Sequence, residues 1–171
     1  MISEFKKIEP TAISGNLIKK IGHEWMLITA GNSTAFNTMT ASWGGMGFLW
    51  NKPVAFIFIR PQRFTYQFAE KNSFFTLHFF EEEHREILNF CGSKSGRDVD
   101  KIAHTGLEVF NSPNDNIYYG QSYLQMECRK LYFDYIDPSH FLDDKIIRNY
   151  PKSDFHRFYI GEILECIEKI M

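Results

Sequence analysis

Residues 37–47 read Asn37-Thr38-Met39-Thr40-Ala41-Ser42-Trp43-Gly44-Gly45-Met46-Gly47. The first half alternates as a strand does, yet one face carries small hydroxyls where a core would want aliphatics. The second half holds three glycines within four residues, which reads as a strand-ending bend. Small polar groups, bare backbone and one indole side by side suit close backbone approach to a flat molecule with a polar edge. Trp43 either covers part of such a ring or fills the core.

Working outward, Trp25–Ala30, Phe36–Trp43 and Val54–Arg60 read as strands, the third buried. Phe64–Asn72 reads as a short helix and Ser73–Phe80 as a strand. Glu82–Phe90, polar first and apolar later, suits a helix lying on a sheet, and Asp98–His104 another short helix. Ser122–Ile136 is a long, bent strand and Phe155–Glu168 a further one. Many strands, few helices and links too short for regular crossovers predict a mainly β chain, an antiparallel barrel with helical insertions. No repeat or long linker divides residues 1–171, so one domain is expected.

Composition narrows the function classes. Apolar residues make up 44% and charged residues 23%, an ordinary globular balance. A formal charge of −2 gives no drive toward nucleic acid or anionic membrane. The longest purely apolar run, Val54–Ile59, is far too short to span a bilayer. The N-terminal stretch lacks an apolar signal region, and Cys91, Cys128 and Cys166 are odd in number and widely spaced, so a cytoplasmic location is expected. The aromatic share is 16%, with 17 Phe, more than one small barrel readily buries; a symmetric homodimer is the expected outlet.

Several chemistries find no support. Gly92-Ser93-Lys94-Ser95-Gly96 lacks the spacing of a phosphate loop or a nucleophile elbow. No HxH, HExxH or CxxC spacing occurs, so no dedicated metal site is expected. Glu81, Glu82 and Glu83 read as the solvated start of a helix.

Arg60-Pro61-Gln62-Arg63-Phe64-Thr65-Tyr66 is the second informative stretch. Two guanidiniums lie three residues apart in a turn, and a hydroxyl follows at a helix start. Helix N-termini and guanidiniums both bind phosphate. Alternatively, Arg60 and Arg63 are surface residues and Thr65 a cap. A cofactor with a flat polar ring and a phosphate tail accounts for both stretches together, the ring edge meeting Asn37, Thr38, Thr40 and Ser42.

At these residues the chain resembles the flavin reductase-like family of FMN-binding split barrels, and within it the flavoredoxin group. The matching motifs are NTMTASWGGMG (37–47), RPQRFTY (60–66) with EKNSFFTLHFF (70–80), CGSKSGRDVDK (91–101) and FHRFYIGEI (155–163), in family order. The resemblance implies an antiparallel split β-barrel of Greek-key type that dimerises and holds FMN noncovalently near the dimer interface. It implies that Asn37, Thr38, Met39, Thr40, Ala41 and Ser42 line the isoalloxazine, with Trp43 beside them. Arg60, Arg63 and Thr65, with Tyr66 in the same motif, are implied to hold the ribityl phosphate. Ser95, Gly96 and Lys101 are implied to lie near the cofactor or the partner subunit. Lys101 would then either stabilise reduced, anionic flavin or pair with a carboxylate.

One departure bears on the electron donor. Many nicotinamide-using relatives carry Gly-Asp-His near the last strand. The corresponding stretch is read here as Gly161-Glu162-Ile163, without the imidazole, and His156 stands five residues earlier. Three readings follow: an oxidoreductase moving electrons from NAD(P)H through FMN to an acceptor; a flavoredoxin-like carrier fed by a redox protein; and a non-redox flavin-binding barrel.

Overall fold

The computed structural model describes residues 4–170. Ten strands run in chain order: β1 (Phe5–Lys7), β2 (Met26–Asn32), β3 (Ala35–Ala41), β4 (Gly44–Leu49), β5 (Lys52–Ile59), β6 (Phe74–Phe79), β7 (Val109–Asn111), β8 (Ile117–Tyr119), β9 (Leu124–Tyr135) and β10 (Arg157–Lys169). Four short helices interrupt them: α1 (Leu17–Lys19), α2 (Phe64–Lys71), α3 (Arg85–Ser93) and α4 (Lys101–Thr105).

The main sheet runs β3-β2-β6-β9-β10-β5-β4, with β1 beside β10, and β7 pairs with β8 separately. Every pairing is antiparallel. β6, β9 and β10 lie neighbour to neighbour while the earlier β5 returns beside β10, which is the Greek-key order expected from the resemblance. β3 and β4 end the order at opposite edges, although only Ser42 and Trp43 separate them in the chain. The sheet must therefore curl until its edges meet at that link. The two edges are joined by the chain and not by a ladder, so the barrel is closed but split.

The bend predicted at Gly44–Gly47 is corrected: these residues form β4, in register with β5 from Gly44↔Ile57 to Leu49↔Lys52. Glycine is required at the first of them. A Cβ on Gly44 would lie 2.9 Å from both Met26 Cε and the carbonyl oxygen of Phe56.

β2 is buried along nearly its whole length because it separates two cores. Met26, Ile28 and Ala30 join Met39, Ile57, Phe75, Leu77, Met126 and Tyr159 inside the barrel. Leu27 points the other way, to Leu88, Cys91, Leu107, Ile117 and Tyr119 under the α3–β8 insertion. The hydroxyl face of β3 belongs to this second side. Thr29 Oγ1 donates to Thr38 Oγ1 (3.0 Å) and meets the Tyr119 hydroxyl (3.1 Å). Beside them His78 Nε2 meets Thr76 Oγ1, and His78 Nδ1 shares Gln125 Oε1 with the amide of Tyr119. An amide oxygen only accepts, so Nδ1 carries the proton. Burial pushes the His78 imidazole down to about 3.

The barrel corner makes a contrast between neighbouring glycines. Gly44→Ala should lose about 1–3 kcal/mol, because the Phe56 carbonyl is backbone and cannot move aside without shifting β5. Gly45→Ala, whose nearest atom would be Phe56 Cδ2 at 3.7 Å, should be close to neutral. Chemical denaturation of both variants checks this; equal stability would refute the close-approach argument.

Candidate functional site

A cleft of about 450 Å3 opens along the split, between the end of β3, the link to β4, the end of β5 and helix α3. Met39, Thr40, Ala41, Ser42 and Trp43 form one wall, Leu88, Asn89, Gly92 and Ser93 a second, and Trp25, Phe58, Arg60, Arg63 and His156 complete it. Its size lies in the ~300–1,000 Å3 range of small-molecule sites. β3 is terminal in the sheet, so no further strand takes its outer backbone edge here. α3 packs close against that edge. The Thr40 hydroxyl donates to the Leu88 carbonyl, and a Cβ on Gly92 would lie 3.3 Å from Thr40 Cβ.

The Trp25 backbone takes φ 68°, a region bulky side chains rarely adopt. Arg85 holds it there: its guanidinium lies 4.6 Å from the Trp25 ring and donates to the carbonyls of His23 and Glu24. Trp43, 45% exposed, stands at the mouth with its ring 5.1 Å from His156.

A second hollow of about 210 Å3 continues the cleft through the shared residues Met39, Arg63 and Ser93. Phe64 and Thr65 at the start of α2 line it, with Lys94, Ser95, Gly96, Arg97 and Lys101. First-turn amides of a helix lack intrahelical acceptors, so this end attracts anions. Arg63 Nη1 donates to the Gly92 carbonyl at 2.8 Å, and burial lowers its pKa, Arg60 adding to the fall. Lys101 donates to the carbonyls of Thr38 (2.7 Å) and Cys91 (2.8 Å). Burial pulls its ammonium down to about 8 against the opposing effect of Cys91. Both cations are thus held by neutral oxygens and keep their charge uncompensated.

The sequence-derived candidates divide into three groups. Met39–Trp43, Arg63, Ser95 and Lys101 line the cleft or its continuation. Asn37 and Thr65 also reach the continuation, but they are buried and bonded to each other, Asn37 Nδ2 donating to Thr65 Oγ1 at 2.7 Å. A Cβ on Gly96 would collide with Asn37 Oδ1, so glycine is needed there for loop 93–100 to close over β3. The rest have their polar groups committed elsewhere. The Thr38 hydroxyl faces the polar layer under β8. Tyr66 meets the Tyr135 hydroxyl at 2.6 Å. Arg60 lines the cleft with its guanidinium committed to Asp154 (2.6 Å) and the Asn149 carbonyl (2.8 Å).

The stretch read as lacking the family's imidazole and the histidine five residues before it are placed differently. Gly161, Glu162 and Ile163 lie within β10, where Glu162 pairs with Lys52 and Arg129 and Ile163 packs in the barrel core. His156, just before β10, lines the cleft. Its Nδ1 lies 2.9 Å from the Tyr150 hydroxyl, and burial, then the nearby Arg60 charge, push it down to about 4. Trp25, Phe58 and the α3 face Leu88–Ser93 were not anticipated as lining residues; the apolar face of the predicted Glu82–Phe90 helix was the available signal.

The chain belongs to the flavin reductase-like domain family, whose model matches residues 18–169. Solved structures agree in fold. An FMN-binding domain of a flavin reductase-like enzyme from Shewanella baltica OS155 superposes with a TM-score of 0.70 at 17% identity, over 96% of this chain and 77% of that one. Flavoredoxin from Methanosarcina acetivorans gives 0.65 at 21% identity, over 84% and 67%. A split barrel domain protein, assigned as a flavin reductase, from Shewanella frigidimarina NCIMB 400 gives 0.65 at 17%, over 87% and 69%. The fold is the split barrel. No curated protein matches the chain in sequence. Among the described residues no helix is long and apolar enough to cross a membrane.

The two buried histidines set an acid sensitivity. Both fold with their pKa depressed below the ordinary histidine value of 6.5, His78 to about 3 and His156 to about 4. The unfolded chain therefore binds protons that the folded chain refuses. Their stabilising effect is complete above pH 6.5 and is lost as pH falls toward 4. Stability should drop between pH 6.5 and 4.5 by about 1.4 kcal/mol per pH unit from fully buried His78 alone. Urea midpoints across that window check it, and a flat profile would refute it.

Proposed function

We propose that the cleft binds FMN noncovalently and that the protein is an oxidoreductase, passing electrons from NAD(P)H through the flavin to an acceptor. One observation carries this reading: a slot walled by aromatic rings and the end of a terminal strand runs into a hollow where Arg63 and Lys101 rest on carbonyl oxygens, with no carboxylate partner among the described residues. The backbone and side chains of Met39–Trp43 suit the polar edge of an isoalloxazine, and Arg63 with the α2 N-terminus suits a phosphate. Lys101 lies behind them as a second positive charge. When bound, the flavin supplies the electron chemistry, and the chain supplies position and charge.

His156 favours direct use of a nicotinamide donor over a carrier without its own donor site. Held by Tyr150 and neutral at physiological pH, it offers a ring nitrogen to a carbonyl or carboxamide in the cleft. The FMN-binding and flavoredoxin structures named above are compatible with either reading.

The site also bears on assembly. Trp50, Tyr132, Phe158, Phe58, His156 and Trp43 form a run of ring contacts from the outer sheet face into the cleft. Trp43, Trp50 and Tyr132 are exposed along it, large apolar rings left facing solvent in the single chain. We propose a homodimer that covers this face and brings the partner to the cleft rim.

Titration of apoprotein tests the cofactor. FMN should bind at least tenfold more tightly than riboflavin, the value of one charge-assisted hydrogen bond of about 1.5 kcal/mol or more. Arg63→Ala should erase most of that preference. Equal affinity for the two flavins would overturn the phosphate assignment. Anaerobic stopped-flow with NADH and NADPH tests the donor: reduction on the order of 10 per second is expected, and no reduction by either would leave only the carrier or non-redox reading. Light scattering should return twice the chain's 20.1 kDa, and a monomer mass would refute the dimer.

A further inference from the structure

Arg60 stands in the same motif as Arg63 but does different work. Its guanidinium is spent on one segment of chain, residues 137–156, whose last residue, His156, lines the cleft. Nη1 donates to Asp154 Oδ2 at 2.6 Å and Nη2 to the Asn149 carbonyl at 2.8 Å. Its plane also lies 5.0 Å from the Tyr150 ring. Gln62 donates to the same Asp154 oxygen, so the carboxylate is tied twice to the turn that follows β5. Tyr150 is buried, and its hydroxyl lies 2.9 Å from His156 Nδ1. Arg60, Tyr150 and His156 thus form a chain of contacts that ends in the cleft.

We propose that Arg60 is a positioning residue for His156 and not a phosphate ligand: it fastens the 137–156 segment to the end of β5 so that Tyr150 fixes the imidazole's orientation and tautomer. A phenol hydroxyl is the stronger donor and imidazole nitrogen the stronger acceptor. Tyr150 therefore donates to Nδ1, and the ring proton sits on Nε2, the nitrogen left for a molecule in the cleft. The arrangement makes His156 a hydrogen-bond donor of fixed direction, suited to a carbonyl oxygen on the bound reaction partner. The guanidinium has a second effect. The charged groups facing the imidazole are Arg60 and Asp154, with Arg63 further along the cleft wall. Burial is the main reason His156 stays uncharged through the physiological range, and Arg60 adds to it against the opposing effect of Asp154.

The inference rests on the FMN-oxidoreductase reading only for its kinetic arm; its spectroscopic arm is read on apoprotein. The variants are Arg60→Met, Arg60→Lys and Tyr150→Phe, followed by 15N NMR of the His156 ring. In wild type, Nε2 should carry the proton and the midpoint should lie near pH 4. Arg60→Met removes a like charge and leaves Asp154 unpaired, and both changes favour imidazolium. The midpoint should rise by about one pH unit or more. Arg60→Lys keeps the charge and should hold the midpoint near wild type. If Arg60→Met unfolds, Tyr150→Phe carries the test alone: the Nδ1 and Nε2 signals should move toward a mixture of tautomers.

On the flavin side, Arg60→Met should leave the FMN-over-riboflavin preference unchanged within about twofold, while reduction by nicotinamide slows on the order of a hundredfold. A tenfold loss of that preference would overturn the proposal and return Arg60 to the phosphate. An unmoved His156 titration in Arg60→Met, or an unmoved tautomer in Tyr150→Phe, would overturn it as well. Should wild type bind no FMN, the oxidoreductase reading fails, and the imidazole spectra still decide the role of Arg60.

Discussion

Two residues, Ser42 and Trp43, impose the shape of this molecule. They are all that lies between β3 and β4, yet those strands occupy opposite edges of the main sheet. A link that short cannot cross a flat sheet of seven neighbouring strands, since a residue spans at most about 3.6 Å and strands sit about 4.8 Å apart. The sheet must roll up. Because the edges arrive at a corner and not in register, they do not pair, and a gap remains. The cleft occupies that gap. Closure of the fold and opening of the site are one geometric event, which is why Gly44 can tolerate no side chain beside the Phe56 carbonyl.

The larger elements were legible because their residues obey simple periods. β2, β5, β6, β9 and β10 carry β-branched and aromatic residues in runs or alternation, and α2 to α4 carry caps or an amphipathic face. β4 was read as a bend because GGMGFL has almost no strand propensity; its pairing comes from β5 and the corner, information no local window holds. β1, β7 and β8, three residues each, are too short to show a period.

The site was legible to a different extent. Met39–Trp43 and Arg63 announced themselves as small, polar or cationic residues in unusual places. The same logic misjudged the hydroxyls. Thr38 looked available to a ligand, but its hydroxyl is taken by Thr29 and the Ile28 carbonyl of β2, and Thr29 in turn meets Tyr119 of the unforeseen β8. His156 was noted in the sequence but not placed in the site. The Gly161 stretch lies inside β10, whereas a residue just before the strand sits where the barrel opens and can reach the cleft.

Charge in the cleft follows from what holds each cation. Arg60 is neutralised by Asp154 and works as a structural tie. Arg63 and Lys101 rest on carbonyl oxygens, which solvate a charge without cancelling it. Burial without a counter-ion is unfavourable, and the lowered pKa of each records that cost. An anion entering beside them would oppose the effect of burial and move the Lys101 pKa from about 8 back toward the ordinary lysine value of 10.5. Binding of a phosphate and uptake of a proton at Lys101 are therefore linked above pH 8, and each favours the other. The cost of holding these cations in the folded chain is the kind that binding of an anion offsets, so under the proposed function the site would give up stability in isolation and recover it on binding.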